Sequence, residues 1–131
     1  MADFCACCTV QRLGVEPEKN DLNRNPEMND SDIDFSKLGY NDLCEGCGGV
    51  FVDEKGWPMN FDSYNIAVGQ YAVHNGKDEV YEILNLANGS APEYPSLVVY
   101  KRLRDGEVFA RSVNVFVRKF RPRDGSWYGA L

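Results

Sequence analysis

A chain of 131 residues, 44% hydrophobic and 26% charged, holds enough apolar material for one ordinary domain or two very small ones, which excludes wholesale disorder. No run reaches the roughly eighteen apolar residues of a membrane helix, and Met1-Ala2-Asp3-Phe4-Cys5 lacks the basic start and apolar stretch of a secretory signal. The net charge of −6 is unevenly spread: residues 1–65 carry 5 Lys/Arg against 13 Asp/Glu, net −8, and residues 66–131 carry 9 against 7, net +2. That balance argues against nonspecific nucleic-acid binding by the whole chain and leaves room for a local basic patch. A cytoplasmic location is expected, and there five cysteines favour metal binding over a disulfide framework.

In chain order, the first stretch, Met1 to about Gly14, holds Cys5-Ala6-Cys7-Cys8. Val15 to about Asn41 is rich in Asn, Asp, Glu and Pro and reads as a long loop with one short turn near Phe35 to Leu38. Leu43-Cys44-Glu45-Gly46-Cys47-Gly48-Gly49 then leads into strand-like sequence. From Gly69 onward β-branched and aromatic runs predict strands at Val80–Leu84, Ser96–Tyr100 and Val113–Val117. Asn75-Gly76 and Asp105-Gly106 punctuate them as tight turns, while Asn88-Gly89 opens a longer connection through Pro92 and Pro95. The expected architecture is mainly β: a small five-stranded barrel or curved sheet after a loop-rich, zinc-ribbon-like N-terminal region. The divisions fall at residues 1–65 (cysteine-rich, with an acidic loop), 66–122 (β-module) and 123–131 (tail).

Cys5-x-x-Cys8 and Cys44-x-x-Cys47 have the spacing that structural zinc favours, because two thiolates three positions apart on a tight turn can face one ion. Gly48 or Gly49 would let backbone amides approach the sulfurs. Cys7 is left over, and Cys5/Cys7 or Cys7/Cys8 are alternative N-terminal pairs. Joining the two pairs closes about 35 residues at a cost of roughly 3 kcal/mol, against the roughly 10–16 kcal/mol that structural zinc supplies. Free thiols, a disulfide or iron–sulfur chemistry are the alternatives. No βαβ pattern supports a thioredoxin-like role, and a catalytic zinc would want an open position with His or carboxylate ligands.

Leu43-Cys44-Glu45-Gly46-Cys47-Gly48 followed by Val52-Asp53-Glu54-Lys55-Gly56 resembles short zinc-ribbon segments of small phage-encoded proteins. Trp57-Pro58-Met59 stands where such segments often place a second cysteine pair, so the N-terminal cluster must supply those ligands. Residues 69–120 resemble a small domain-of-unknown-function family of bacterial and phage proteins. The likeness rests on Gly69-Gln70-Tyr71, His74, Gly76, Tyr81-Glu82-Ile83-Leu84, Ala87, Leu97 through Leu103, Arg111 and Phe116. Two departures are extra length between Gly76 and Tyr81, and Ser112 where the family usually has proline. This resemblance implies a compact SH3-like β-fold and no particular reaction.

Candidate partner- or ligand-binding residues are Tyr71, His74, Tyr100, Arg102, Arg111, Arg118, Arg121 and Trp127. His74 is the sole histidine, so any acid–base scheme must use it. The tyrosines would wall a groove or fill a core, and Arg111 between Phe109 and Val113 needs a carboxylate or a ligand anion. Basic residues from Lys101 to Arg123 interleave with Phe116, Phe120, Trp127 and Tyr128, the composition that holds single strands, although a solvated face with a docked tail has the same pattern. Asp30-x-Asp32-x-Asp34 fails as a calcium loop because Phe35 replaces the bend glycine and Asn41 the closing glutamate. Asn88-Gly89-Ser90 matches a glycosylation acceptor that a cytoplasmic protein would not use.

The expected function is a noncatalytic, zinc-stabilised interaction protein that binds another protein; in a phage setting it would bind or inhibit a host or defence factor. The alternatives are single-stranded nucleic-acid binding through the basic C-terminal surface, or sequestration of a small anionic ligand such as a nucleotide with Arg111 as anchor. No acid–base motif or phosphate-cradling glycine loop points to an enzyme. No membrane partner is expected.

Overall fold

Cysteine and threonine are indifferent helix formers, yet Ala6–Leu13, within the region expected to be loop-rich, is an α-helix, α1. Tertiary burial explains it: Ala6, Cys7, Cys8 and Thr9 are all buried. Gly14 closes the helix in a left-handed conformation, with its N–H bonded to the Val10 carbonyl at 3.1 Å. The computed structural model describes residues 3–23, 40–53, 55–88 and 96–128. The aspartates 30, 32 and 34, the turn expected near Phe35, and the 89–95 connection lie outside these residues.

After a short 3₁₀ turn at Pro17–Lys19, strands β1 (Tyr40–Cys44) and β2 (Gly48–Val52) form an antiparallel hairpin with Cys44 opposite Gly48. The chain then doubles back. Asp53 N–H donates to the Trp57 carbonyl and Gly56 N–H to the Asp53 carbonyl, both at 3.0 Å. Gly56 sits at φ +82°, and a Cβ there would fall on the Asn20 carboxamide, which itself donates to Lys55 and Pro17 carbonyls. The Gly56 carbonyl in turn receives the Ala6 N–H at 3.0 Å, tying the start of α1 to this loop.

The rest of the fold is one antiparallel sheet built from β3 (Tyr71–His74), β4 (Val80–Ala87), β5 (Leu97–Arg102), β6 (Val108–Ser112) and β7 (Phe120–Pro122), in the order β6-β5-β4-β3-β7. The mainly β expectation holds, and the five-stranded sheet is open, with β6 and β7 as its edges. Both short turns fall where predicted: Asn75-Gly76 joins β3 to β4, and Asp105-Gly106 joins β5 to β6, with Gly106 at φ +76°. Asn88, just past β4, takes φ +64°.

The strand expected at Val113–Val117 is instead part of a helix, α2 (Val113–Lys119), and the fifth strand is β7. All five residues from Val113 to Val117 are buried. A short segment covered on every side shows no polar face, so periodicity could not separate helix from strand. Helical spacing matters here because it puts Asn114 and Arg118 on one face and turns Phe116 to the sheet. Phe116 stacks on Phe120 at 4.5 Å, and Tyr81, Tyr100 and Phe120 surround one another at 5.1–5.4 Å between ring centroids.

One hydrophobic cluster runs from Cys5, Cys8 and Cys44 through Val52, Trp57 and Tyr64 to Ile83, Phe116 and Trp127. The tail beyond Arg123 joins it. Trp127 is buried with its indole N–H on the Phe120 carbonyl at 2.7 Å, and the Tyr128 carbonyl accepts from the Gln11 side chain.

Candidate metal centre

Cys5, Cys8, Cys44 and Cys47 bring their sulfurs together, all within 4.8 Å of one another, and could hold a metal ion. The sulfurs of Cys5 and Cys47 lie 3.7 Å apart, and those of Cys8 and Cys47 3.1 Å apart. A tetrahedral ion with metal–sulfur bonds of about 2.3 Å needs sulfurs about 3.8 Å apart, so the quartet is of the right size. All five cysteines are free thiols.

Two different local structures present the four ligands. Cys5 is the N-cap of α1 and Cys8 lies in its first turn, so the N-terminal pair sits on a helix start rather than on an isolated tight turn. The helix start carries partial positive charge from N–H groups that point out of the helix, one of which, that of Cys8, reaches the Cys5 sulfur, and this favours thiolate. Cys44 and Cys47 occupy the β1–β2 turn. The Cys44 sulfur accepts three backbone N–H groups, from Cys5 at 3.3 Å and from Gly46 and Cys47 at 3.4 Å each. The amides that approach sulfur therefore come from Cys5, Gly46 and Cys47, not from Gly48 or Gly49.

Gly46 has a different task. A Cβ there would lie 2.6 Å from the Cys8 sulfur and 2.7 Å from Arg12 Nε, so only glycine lets the turn seat against α1. Arg12 reaches over this turn, donating to the Gly46 carbonyl at 3.4 Å. Its charge opposes the negative charge of a thiolate cluster. Nothing in the spacing of the cysteines pointed to Arg12; it is one helical turn beyond Cys8, on the same face.

Sulfurs crowded this closely titrate against each other. Hydrogen bonds from the Cys47 and Cys7 thiols hold Cys5 down, to about 2. Burial pushes Cys8 up to about 11, and the Cys5 hydrogen bond, followed by burial, pushes Cys47 far above its ordinary value. One thiolate thus holds protons on its neighbours, and a bound dication is what permits all four to ionise together. Cys7 is not one of the four grouped ligands, although its thiol bonds that of Cys5. It is buried, and burial first and the charge and hydrogen bond of Cys5 next raise its pKa well above the ordinary thiol value.

The centre is linked to the sheet through Asp53, one residue past β2. Its Oδ1 accepts the N–H groups of Lys55 and Trp57 at 2.9 and 3.0 Å, and its Oδ2 accepts Asn114 Nδ2 at 2.8 Å and Arg118 Nη1 at 3.3 Å. The Arg118 guanidinium also lies 5.1 Å from the Trp57 ring centroid. This buried ion pair fastens the hairpin to α2. It escaped sequence reading because Asp53 and Arg118 lie 65 positions apart.

Most of the other candidate residues are engaged within the molecule. Arg102 forms a two-pronged pair with Asp105 at 2.7 and 3.0 Å and bonds Glu107 at 2.7 Å, bracing the β5–β6 turn. Arg121 pairs with Asp78 at 2.9 Å, and Arg123 lies 4.2 Å over the Tyr71 ring. Arg118, Arg121 and Trp127 line a cleft of about 280 Å³ together with Trp57 and Tyr128. Trp127 contributes as a core side chain, because the sheet and α2 offer an apolar seat and an acceptor for its N–H. His74, Tyr100 and Arg111 form a separate group: Arg111 Nε donates to the Tyr100 hydroxyl at 2.8 Å, and the His74 and Tyr100 rings each lie 5.1 Å from Phe120.

Comparison with protein-family models, curated proteins and solved structures finds no match to this chain. The functional reading therefore rests on the site itself. Among the described residues, no helix is long and apolar enough to cross a membrane.

Proposed function

We propose that this protein is a noncatalytic, zinc-stabilised binding module in which the metal clasps an N-terminal helix and hairpin onto a β-sheet that meets a protein partner. The observation that carries the metal part is the closed quartet of thiols, three of them buried and drawn from two elements. All-sulfur donors suit zinc, and four protein ligands leave no open position for a substrate or water. Bound zinc would supply folding free energy and charge neutralisation rather than reactivity. The chain's own part is to hold the sulfurs: the α1 start, the Gly46 turn and the three N–H donors to Cys44 orient them before any ion arrives.

The binding-module reading follows from where the polar chemistry lies. His74, the only histidine, is remote in sequence from the cysteines, and among the described residues the metal-ligating group consists of the four thiols, with no histidine or carboxylate in it. The SH3-like likeness of residues 69–120 and a phage setting belong to this proposal as expectations about partners. Metal analysis of purified protein with reduced thiols tests the central claim: about one zinc per chain is expected, falling in Cys44→Ser and Cys8→Ser variants. Native, fully reduced protein without bound metal overturns it. Recovery of one defined protein partner that still binds the zinc-loaded form would support the module reading, and a stoichiometric enzymatic turnover by the purified chain would overturn it.

A second reading is binding of an anionic ligand, and the ion pairs narrow where it would occur. Lys101, Arg102, Arg104, Arg118, Arg121 and Arg123 each have an acidic partner. Those pairs weaken the broad basic face that a nucleic-acid strand would track. The group around His74 differs.

A further inference from the structure

We propose that His74, Lys77, Tyr100, Arg111 and Lys119 form a binding site for a phosphoryl group. This refines the anionic-ligand reading and does not depend on the metal. The residues come from four elements and a turn: His74 ends β3, Lys77 lies in the following turn, Tyr100 is on β5, Arg111 on β6, and Lys119 ends α2. Packing joins them. The His74 ring meets Phe120 edge-on at 5.1 Å, Phe120 meets Tyr100 at 5.1 Å, and the Tyr100 hydroxyl takes the Arg111 Nε–H at 2.8 Å. The Lys119 carbonyl receives the Asn75 N–H at 3.0 Å, which fixes the end of α2 beside His74.

The group is rich in donors and poor in acceptors. His74 Nδ1 accepts the Gly76 N–H at 3.0 Å, so the neutral ring carries its proton on Nε2 as a free donor. Tyr100 is buried, and burial raises its pKa, so it remains a phenol. Having accepted from Arg111, it keeps its own proton to donate. Among the described residues no carboxylate pairs with Lys77, Arg111 or Lys119, unlike the six cations named above. The charges that face His74 are Lys77, Arg111 and Lys119, and together with burial, the larger cause, they lower its pKa. The three cations that act on His74, its own N–H and the Tyr100 phenol beside Arg111 offer more donors than a carboxylate can use. They match the charge and three oxygens of a phosphoryl group, which charge-assisted hydrogen bonds hold strongly.

The sole histidine makes the test direct. In the zinc-loaded full-length protein, NMR titration of the His74 ring with inorganic phosphate at low ionic strength should give a saturable shift and a raised pKa. The same titration with a nucleoside monophosphate separates free phosphate from a phosphoester: equal affinity points to phosphate itself, and tighter binding points to the ester. Arg111→Gln, and separately the double variant Lys77→Gln/Lys119→Gln, should each weaken binding by about tenfold or more. The lysine variant keeps the fold because Lys77 is exposed and Lys119 half-exposed. No saturable change at His74 up to about 10 mM of either ligand, or unchanged affinity in the lysine variant, overturns the proposal. So does binding of a single-stranded oligonucleotide where phosphate and nucleotide do not bind. Metal content measured on the same samples keeps this result separate from the fate of the zinc reading.

Discussion

The N-terminal unit and the sheet are held by different physics. Around α1 and the β1–β2 hairpin, the buried side chains are mostly thiols and small residues, and the backbone is tied by local N–H bonds to carbonyls and to sulfur. Across the sheet, Tyr81, Tyr100, Phe116, Phe120 and Trp127 pack ring on ring, with α2 filling the face between them. The first unit buries few large hydrocarbon side chains, and an ion held by its four thiols would brace it; the second has the large aromatic areas that stabilise small folds. Asp53, Arg118 and Trp57 couple the two.

Metal removal should expose this difference most. Chelation withdraws a term on the order of 10 kcal/mol, and hydrogen exchange should show protection lost first across residues 5–13 and 40–57, with β4 and β5 retaining more. Equal loss in both regions would break the comparison and make the ion a support of the whole chain. Acidification should act in the same direction, since protons compete with metal for thiolate.

Next in size are truncations on the sheet side. Phe116→Ala should cost about 3–5 kcal/mol by the usual price of an aromatic cavity, read by denaturant unfolding, while zinc content at low denaturant stays at one per chain. Loss of metal in that variant would show that the sheet core is needed to assemble the thiols.

The coupling residue comes third. Asp53→Ala removes a buried carboxylate partner of Arg118 and the acceptor of the Lys55 and Trp57 N–H groups, and should cost about 3 kcal/mol or more. Adding Arg118→Met removes the guanidinium charge and should restore part of the loss. A double variant no better than the single one would mean that the N–H groups of Lys55 and Trp57, which Asp53 also accepts, dominate.

Smaller effects belong to the surface. Arg102→Ala breaks pairs with exposed Asp105 and Glu107 and should cost at most about 1 kcal/mol; the melting temperature checks it. His74 has a folded pKa below its ordinary 6.5, so the fold favours the neutral ring. Its contribution is full above that unfolded value and is lost as pH falls through the lower folded one. Wild-type stability should therefore fall more steeply than that of His74→Gln between pH 7 and 5.

Much of this protein was readable along the chain. The spacing of Cys5, Cys8, Cys44 and Cys47 named the quartet that the fold assembles, because ligand spacing is a local requirement of tetrahedral coordination. Asn75-Gly76 and Asp105-Gly106 marked turns; Gly106 takes the positive φ expected there, whereas in the β3–β4 turn it is Asp78 that does so, at +56°. Three matters depended on contacts between distant residues. Val113–Val117 became a helix because burial on every side outweighs β-branched preference, and Cys5–Cys8 gained a helical seat from packing against Gly46 and Gly56. That Arg118 is neutralised, while Arg111 meets the Tyr100 hydroxyl, was decided only when α2 packed against the hairpin and brought Arg118 to Asp53. Charge on a sequence is a sum, and its meaning in a fold is set by the neighbours that long-range packing supplies.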